Sequence, residues 1–305
     1  MDVTILIDNF TDIFLQSSAE VRRAPLSWNW SERDQLIAEH GYSILVSLHR
    51  GGEERTLLYD AGLGRQTLNH NLKVLGLNAE KVEAIAMSHG HADHHGGLEG
   101  LAQLIGKRNL PLIIHPDAWQ DRKIIFPSGN EIHLPPINRK MLEDQGVKVV
   151  DEKAPSLLLG ETALVSGQVE RTTTFEKGFP IHYANHDGGW EKDPMVYDDQ
   201  GIICNVKDRG LVVVSSCSHA GVVNVLRNAK RLTGENHVHA FIGGLHLSGS
   251  IFDPLIQPTL EELVKIGPDF IVPGHCTGWK ATHEIARKMP QSYVQTGVGT
   301  QLHFA

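Results

Sequence analysis

Short apolar runs alternate along the chain with polar or glycine-rich turns and with amphipathic stretches, a pattern that predicts sheets covered by helices. In the first half, β-branched and apolar runs predict strands at residues 3–7, 42–48, 56–59, 82–88, 111–115 and 147–150. Apolar residues at helical spacing follow at residues 98–105, and residues 139–145 predict a second helix. The first half is therefore predicted to be a mixed α/β structure.

The same alternation continues in the second half, where strands are predicted at residues 201–206, 210–215, 238–242 and 270–272. The apolar positions of residues 222–232 share one helical face and end at Gly234. A further helix is predicted at residues 258–266, ending at Gly267. The last strand leads directly into Pro273-Gly274-His275.

No Pro/Ser-rich linker and no repeat divides the chain, so residues 1–305 are predicted to form one domain. Residues 175–200 lack a clear period and contain Pro180 and Pro194, which is typical of a long functional loop. We expect a lid or substrate loop there. Residues 16–38 are expected to be partly irregular, with Trp28 and Trp30 as core or cover.

The charge balance limits the classes of partner. The chain has 28 Lys+Arg against 36 Asp+Glu and a formal charge of -8, which gives no basic field for nucleic acid. A small-molecule substrate, with or without phosphate, is expected instead. Three widely spaced cysteines indicate a reducing compartment, and no segment has the pattern of a signal peptide or membrane span, so we expect a cytoplasmic protein. The pattern does not predict an oligomeric state.

Histidine is unusually frequent, with 18 in 305 residues, and four occur in Ser88-His89-Gly90-His91-Ala92-Asp93-His94-His95. On an extended turn, His89 and His91 can point at one metal ion, and on a tight bend Asp93 and His94 can face a second. The backbone freedom for that bend is expected from Gly90, Gly96 and Gly97. The alternative is a solvated polar loop, which the preceding apolar strand and the glycines disfavour.

The His-x-His-x-Asp-His signature of the metallo-β-lactamase superfamily is matched by His89, His91, Asp93 and His94. The chain resembles this superfamily over most of its length. Asp60, in Tyr-Asp-Ala-Gly, resembles the superfamily's first motif, whose aspartate orients the metal loop by hydrogen bonds. Without the context of the other motifs, this Asp-x-Gly sequence would be interpreted as a turn. The resemblance implies an α/β fold, a four-layer α/β/β/α sandwich with a dinuclear site at one sheet edge.

The superfamily takes further ligands from the second half of the chain, where this sequence departs from the pattern. Cys217 stands in place of the usual bridging aspartate, and it is either a ligand or a small buried hydrophobe. His219, two residues later, is expected to supply the missing imidazole. His275 resembles the final histidine ligand. His246, in Gly-Gly-Leu-His, is a ligand, a proton donor or a structural residue, and we favour a substrate-side role.

The resemblance implies a specific grouping of these residues. It places His89, His91 and His219 around one ion. It places Asp93, His94 and His275 around the other, with Asp60 behind them and with Asp93 and His246 as catalytic residues. Two divalent ions are expected, with zinc preferred and iron or manganese as alternatives.

The other histidines are expected to be core or surface groups; they are His40, His49, His70, His115, His133, His237, His239, His283 and His303. His95 can point either way. His182 and His186 lie in the predicted lid.

Shorter runs resemble one branch of the superfamily, the dihydropterin-methyl-ribofuranosyl-aminobenzene phosphate synthases, at residues 38–43, 166–171, 198–200, 217–221 and 275–278. The predicted function is a metal-dependent hydrolase, in which two ions hold a hydroxide that attacks a small ester, lactone or phosphate centre. The alternative is a transferase that joins a pterin diphosphate to an arylamine. A second alternative is a non-catalytic metal or ligand sensor. Phosphate would be held by Arg171, Lys177 or Lys280.

Overall fold

The computed structural model describes residues 1–24, 34–106 and 109–305, so Trp28 and Trp30 lie outside the described residues. The strands are β1 (Asp2–Ile7), β2 (Val21–Arg22), β3 (Ser43–Arg50), β4 (Glu53–Tyr59), β5 (Ala84–Ala86), β6 (Leu110–Ile114), β7 (Arg122–Ile125), β8 (Glu131–Leu134), β9 (Val147–Asp151), β10 (Ser156–Leu158), β11 (Ala163–Val165), β12 (His182–His186), β13 (Gly189–Lys192), β14 (Ile202–Val206), β15 (Gly210–Ser215), β16 (Val238–Gly243), β17 (Phe270–Pro273) and β18 (Gln301–His303). The α-helices are α1 (Thr67–Val74), α2 (Ala92–His95), α3 (Leu98–Ile105), α4 (Arg139–Asp144), α5 (Val222–Thr233), α6 (Asp253–Ile266) and α7 (Trp279–Lys288).

Two large sheets form the centre of the molecule. The first has eight strands in the order β2-β18-β1-β3-β4-β5-β6-β9, and the second has six in the order β10-β11-β14-β15-β16-β17. In each sheet, antiparallel strands are followed by parallel ones: β4, β5, β6 and β9 are parallel in the first, and β15, β16 and β17 in the second. A smaller sheet has the order β13-β12-β7-β8.

The apolar side chains form separate layers on the two faces of each large sheet. In β15, Val212 and Val214 pack in the core between the two sheets, whereas Leu211 and Val213 pack against the helices outside. This split follows from the alternation of side chains along a strand, and every residue of β15 is buried. Helices α1, α3 and α4 cover the first sheet, and α5, α6 and α7 cover the second. The predicted four-layer α/β/β/α sandwich is confirmed.

The parallel strands bring the candidate site residues to one edge of the two sheets. The chain leaves β4 at Asp60 and β5 at the histidine loop in the first sheet. It leaves β15 toward Cys217 and His219, and β17 at His275, in the second. Because parallel strands all end on the same side of a sheet, residues that follow them come close together.

The second half contains helices that the sequence pattern did not place. The helix predicted at residues 258–266 begins earlier, at Asp253, and keeps Pro258 inside it. Helix α7 was not predicted, because few of its residues are buried and Trp279 at its start is exposed. Residues 175–200 include the hairpin of β12 and β13, so this segment is not irregular throughout. Within the described ranges, no helix is both long and apolar enough to cross a membrane.

Candidate metal centre

The histidine loop follows β5 and is packed tightly against neighbouring backbone. Residue His91 is extended, and α2 begins at Ala92, so the backbone turns between His91 and Asp93. None of the three loop glycines has a positive φ, which corrects the expected reason for their presence. A Cβ at Gly90 would lie 2.1 Å from the Ala118 carbonyl oxygen, and one at Gly96 would lie 1.9 Å from that of Leu63. These glycines permit close packing.

Asp60 holds the loop from behind. Its side chain is fully buried, and its Oδ1 accepts a hydrogen bond from the Ser88 backbone N–H at 2.7 Å. Its Oδ2 accepts from three donors: Ser88 Oγ at 2.6 Å, Ser216 Oγ at 2.5 Å and His94 Nδ1 at 2.8 Å. The carboxylate therefore fixes the first half of the loop, the ring of His94 and the chain after β15 at once.

The proton positions on the imidazoles follow from these partners. The Ser88 hydroxyl donates to Asp60 and therefore accepts from His89 Nδ1, which lies 2.8 Å away. In the neutral ring this leaves a lone pair on Nε2 of His89. His275 Nδ1 lies 3.3 Å from the Asn9 side-chain oxygen and donates to it, which leaves its Nε2 free. Both free nitrogens face the centre of the site.

The side chains converge as two groups that share one sulfur. The ligand atoms of His89, Cys217 and His219 lie within 4.8 Å of one another, and so do those of His94, Cys217 and His275. Cys217 Sγ is 3.3 Å from His94 Nε2, and His219 Nε2 is 3.2 Å from His89 Nε2. Cys217 thus stands between the two groups, where the superfamily pattern expects the bridging aspartate.

The remaining predicted ligands lie at the same place. His91 Nδ1 is 3.0 Å from His89 Nε2. Asp93 Oδ2 is 3.5 Å from His94 Nε2 and 3.3 Å from His275 Nε2. The structure therefore brings together all six residues predicted as ligands, together with Asp60 and Cys217.

Burial and neighbouring charges set the protonation of these groups. Burial and the adjacent imidazoles lower the pKa values of His89, His91 and His219 well below the usual histidine value, so these rings are neutral. Burial opposes protonation of His94 as well, but Asp93 and Asp60 outweigh it and raise the pKa to about 10. Without a cation, a proton on His94 therefore compensates the buried negative charge.

These residues fit a metal ion. Two imidazole nitrogens on a tetrahedral ion, each 2.0–2.1 Å from it, are separated by roughly 3.3 Å, close to the nitrogen separations around His89. His275 Nε2 is buried and has no hydrogen-bond partner among the described residues. Neutral imidazoles, a carboxylate and a thiol form the donor set that zinc prefers. Burial and Cys276 raise the pKa of Cys217 well above the usual thiol value, so its ionisation needs a nearby cation.

His246 lies beside this centre, at the wall of a narrow cleft that Lys177 and Phe252 also line. Its ring centroid is 4.2 Å from that of His219 and 4.6 Å from that of Phe252. Its backbone has a φ of 46°, a left-handed conformation that is uncommon for a non-glycine residue. Burial and His275 lower its pKa to about 3, so its ring is neutral.

The three candidate phosphate-binding cations have different surroundings. Arg171 donates to the backbone oxygens of His219 and Met195 and so braces the centre. Lys177 lines the cleft of His246. Lys280 pairs with Asp253 at 2.7 Å on the surface.

The structure places two further histidines beside the centre. His40 is among the histidines expected to be core or surface groups, and His182 lies in the predicted lid. His40 Nε2 lies 3.5 Å from Asp93 Oδ2. His182 Nε2 lies 3.0 Å from His91 Nε2 and is fully buried. His40 lies in the run at residues 38–43 that resembles the synthase branch, which was a usable signal. No comparable signal marked His182.

Two buried aspartates, also not singled out as site residues, support the centre through the backbone. Asp198 Oδ2 accepts from the Gly90 N–H at 2.8 Å, and its Oδ1 pairs with the buried Arg122 at 2.7 Å. Asp8 Oδ1 accepts from the His275 N–H at 2.8 Å.

The Metallo-beta-lactamase superfamily model matches residues 37–119, which include Asp60 and the whole histidine loop. Residues 37–119 therefore belong to a metallo-beta-lactamase domain. The superfamily resemblance drawn from the sequence motifs is thereby confirmed. The match ends before Cys217 and His219, so the departure from the superfamily pattern lies outside it.

Similar proteins extend the likeness beyond the matched residues, in sequence over most of the chain and in fold over the full chain. The chain is 29% identical over 272 residues to 7,8-dihydropterin-6-methyl-4-(beta-D-ribofuranosyl)-aminobenzene-5'-phosphate synthase of Methanocaldococcus jannaschii, covering 88% of this chain and 90% of that protein. A metal-dependent hydrolase of the beta-lactamase superfamily has a similar crystal structure, with a TM-score of 0.75, 21% identity and coverage of 100% and 99% of the two chains. Zinc-bound PqqB from Methylobacterium extorquens gives a TM-score of 0.55 at 13% identity, covering 100% of each chain.

Proposed function

We propose that the chain is a metal-dependent hydrolase that holds two divalent ions and cleaves a small ester, lactone or phosphate-containing substrate. The observation that carries this proposal is the sharing of Cys217 Sγ between the groups of His89 and His94. Two-metal hydrolytic sites hold their ions about 3.5–4 Å apart, a separation that one donor shared between two sets of ligands can span. Zinc is the favoured metal because a thiolate prefers a softer ion than magnesium or calcium.

In this proposal, His89, His91 and His219 hold one ion, and Asp93, His94 and His275 hold the other. Cys217 belongs to both groups and would supply a thiolate ligand to the centre. When bound, the ions would lower the pKa of water and polarise the acceptor oxygen of the substrate.

The chain's own residues have distinct tasks around that chemistry. Asp60 keeps the His94 ring oriented so that its Nε2 faces inward. Asp93 is held ionised, because His94 and His275 lower its pKa well below the usual value against the opposing effect of burial. His246 presents a neutral imidazole to the cleft, where it offers one N–H donor and one lone pair to a substrate. Lys177, in the same cleft, can neutralise a phosphate.

The decisive experiment is elemental analysis of the purified protein, combined with assays on phosphodiesters and lactones. We expect about two equivalents of metal per chain and metal-dependent turnover. His89→Ala should abolish turnover and leave the fold largely intact, whereas His283→Ala, which changes an exposed residue outside this centre, should have no effect. Unchanged turnover in the His89 variant would remove His89 from the site.

The role of Cys217 as a metal ligand has its own test. Cobalt-substituted protein should show a sulfur-to-cobalt charge-transfer band, which Cys217→Ser should lose. Cys204→Ser is the matched control, because Cys204 is equally buried but lies in the core between the sheets. Retention of the band in the Cys217 variant would contradict the proposal.

A second candidate function is a transferase that joins a pterin diphosphate to an arylamine. It is supported by the similarity to the Methanocaldococcus jannaschii synthase, which spans most of both chains. The arylamine nitrogen would attack carbon as the carbon–oxygen bond to diphosphate breaks, and the same ligand set would serve the leaving group. Turnover of the pterin diphosphate with an arylamine, and of no ester, would favour this function. High metal affinity without any turnover would favour a sensor.

The proposal also includes a lid or substrate-loop role for residues 175–200. It further includes a single domain over residues 1–305 and a small-molecule substrate. The position of Lys177 in the cleft supports the substrate-facing role of this segment.

A further inference from the structure

His182 lies in β12, within the segment predicted as a lid, yet it is fully buried. Its Nε2 is 3.0 Å from Nε2 of His91, and the two ring centroids are 4.9 Å apart. The contact joins the small sheet to the histidine loop.

The hydrogen-bond partners determine which nitrogen of each ring carries a proton. His182 Nδ1 lies 2.7 Å from the backbone oxygen of Asp193. A carbonyl oxygen can only accept, so Nδ1 of His182 is the donor. In a neutral ring, Nε2 of His182 then has a lone pair, and His91 Nε2 must donate to it. Nδ1 of His91 is left unprotonated, 3.0 Å from His89 Nε2.

We propose that His182 is a positioning residue, which fixes the tautomer and ring orientation of His91 so that Nδ1 of His91 is available to the metal. This inference rests on the proposed metal centre. It also gives the 175–200 segment a definite role, because β12 and Asp193 then carry the hydrogen-bond chain that ends at a ligand.

The surroundings of His182 suit this role. β12 pairs with β7, with His182 opposite Ile124, and with β13 on its other side. The ring of Phe179 stacks on that of His182 with an interplanar angle of 23°. The Asp193 N–H donates to the His182 backbone oxygen at 3.0 Å, so the two residues are joined by both backbone and side chain. The imidazole is therefore held in one orientation.

The test compares His182→Ala, His182→Gln and the control His186→Ala, which changes an exposed histidine of the same strand. Metal affinity is measured by competition with a chromophoric chelator, using zinc alone. His182→Ala should bind one of two zinc equivalents roughly 10–100-fold more weakly, as is typical for loss of a ligand's hydrogen-bond partner. His182→Gln should recover part of the affinity, since its side-chain oxygen can accept from His91, and His186→Ala should match the parent protein.

Two affinity results would overturn the proposal. One is an affinity in His182→Ala within about twofold of the parent, well below the loss expected for such a partner. The other is complete absence of one zinc equivalent from folded His182→Ala, which would make His182 a ligand.

A second readout does not depend on metal. Long-range proton–nitrogen NMR correlations of the metal-free parent should show the His91 proton on Nε2, and a proton on Nδ1 would contradict the inference. If the parent binds no zinc but shows the expected tautomer, the proposed function fails and the positioning contact stands.

Discussion

The two halves of the metal centre are held in place by different means. In the histidine loop, Asp60 and Asp198 hold the backbone, and the ligand rings are also anchored to side chains: His94 to Asp60, His89 to Ser88 and His91 to His182. In the second half, the carboxylate anchors hold the backbone, and of the two ligand rings the His275 ring is also held, by Asn9. Asp8 accepts from the His275 N–H, and Asp199 accepts from the Ala220 N–H beside His219. All three imidazoles of the first half are therefore oriented by side-chain hydrogen bonds, whereas the second half is held mainly through its backbone.

Backbone conformation reflects the same difference among the candidate ligands, because none of those in the histidine loop has a positive φ, although Asp60 behind the loop has a φ of 60°. Ser218, His246 and His275 all have positive φ values, of 55°, 46° and 47°. Such conformations are unfavourable for non-glycine residues and persist where the surroundings impose them. In contrast, Nδ1 of His219 has no hydrogen-bond partner among the described residues. The second half thus directs its ligands through strained turns. The following variants test this difference between the two halves.

The largest effect is expected for Asp60→Ala. It leaves four buried donors without their acceptor, at about 1–3 kcal/mol each, so we expect a loss of roughly 4 kcal/mol or more in the free energy of unfolding. Metal affinity should fall roughly 10–100-fold. Urea unfolding of metal-free protein and chelator competition measure the two quantities. Asp60→Asn, which keeps the shape, should lie between parent and alanine variant. An alanine variant as stable as the parent would remove the proposed anchor.

Asp198→Ala should be nearly as damaging, because it leaves Arg122 buried without its partner. Loss of one member of a buried ion pair costs about 3–5 kcal/mol. The double variant Asp198→Ala/Arg122→Met should recover much of this loss in urea unfolding. Asp144→Ala is the matched control, since it breaks an exposed pair with Lys140 and should cost less than about 1 kcal/mol. Equal losses in the two single variants would contradict the argument from burial.

Asp8→Ala tests the backbone anchor. It removes the acceptor of the His275 and Asn9 N–H groups but leaves the contact of the His275 ring with Asn9. We expect a loss of about 1–3 kcal/mol and a smaller decrease in metal affinity than for Asp60→Ala, limited to one ion. If chelator competition instead shows that Asp8→Ala weakens both ions as strongly, then the two halves are not held differently.

A last effect concerns pH. Burial raises the pKa of Glu176 to about 7, against the opposing hydrogen bonds from the Val223 and Asn224 N–H groups at the start of α5. The folded state therefore binds more protons than the unfolded chain between pH 4.5 and 7. Glu176 thus makes the free energy of unfolding decrease as pH rises through this window, by at most about 1.4 kcal/mol per unit.

In Glu176→Gln that contribution should disappear, and the stability should depend less on pH across the same window. Urea unfolding at both ends of the window measures it. Identical slopes in parent and variant would show that Glu176 does not titrate there.

The strands around the site could be predicted from the sequence because their apolar runs are short, continuous and followed by distinctive turns. The histidine loop could be found for the same reason, since its ligands are adjacent in the chain. His219 and His275 could be found because each follows a buried strand. The resemblance to known motifs, in addition, indicated Asp60.

The supporting residues were harder to predict, because their roles depend on contacts between distant segments. His182 meets His91 only through the pairing of β12 with β7, and no local pattern shows that pairing. Asp198 lies in a run that the synthase resemblance had marked, yet its partner Arg122 could not be inferred from it. The role predicted for the loop glycines was also wrong for this reason. A positive φ can be expected from the local sequence, but the close approach of a distant backbone segment cannot.

The order of the ligands along the chain bears on how the protein is made. During synthesis, the histidine loop emerges well before β15 and β17, so an ion could then meet only a few ligands in no fixed geometry. Ser216 and Asp198, which help to hold the loop, are also missing at that stage. Metal binding is therefore expected late in folding, after the two sheets have packed together. Bound ions would then stabilise the packed sheets by mass action. The metal content of a preparation would then report the fraction of molecules that finished folding.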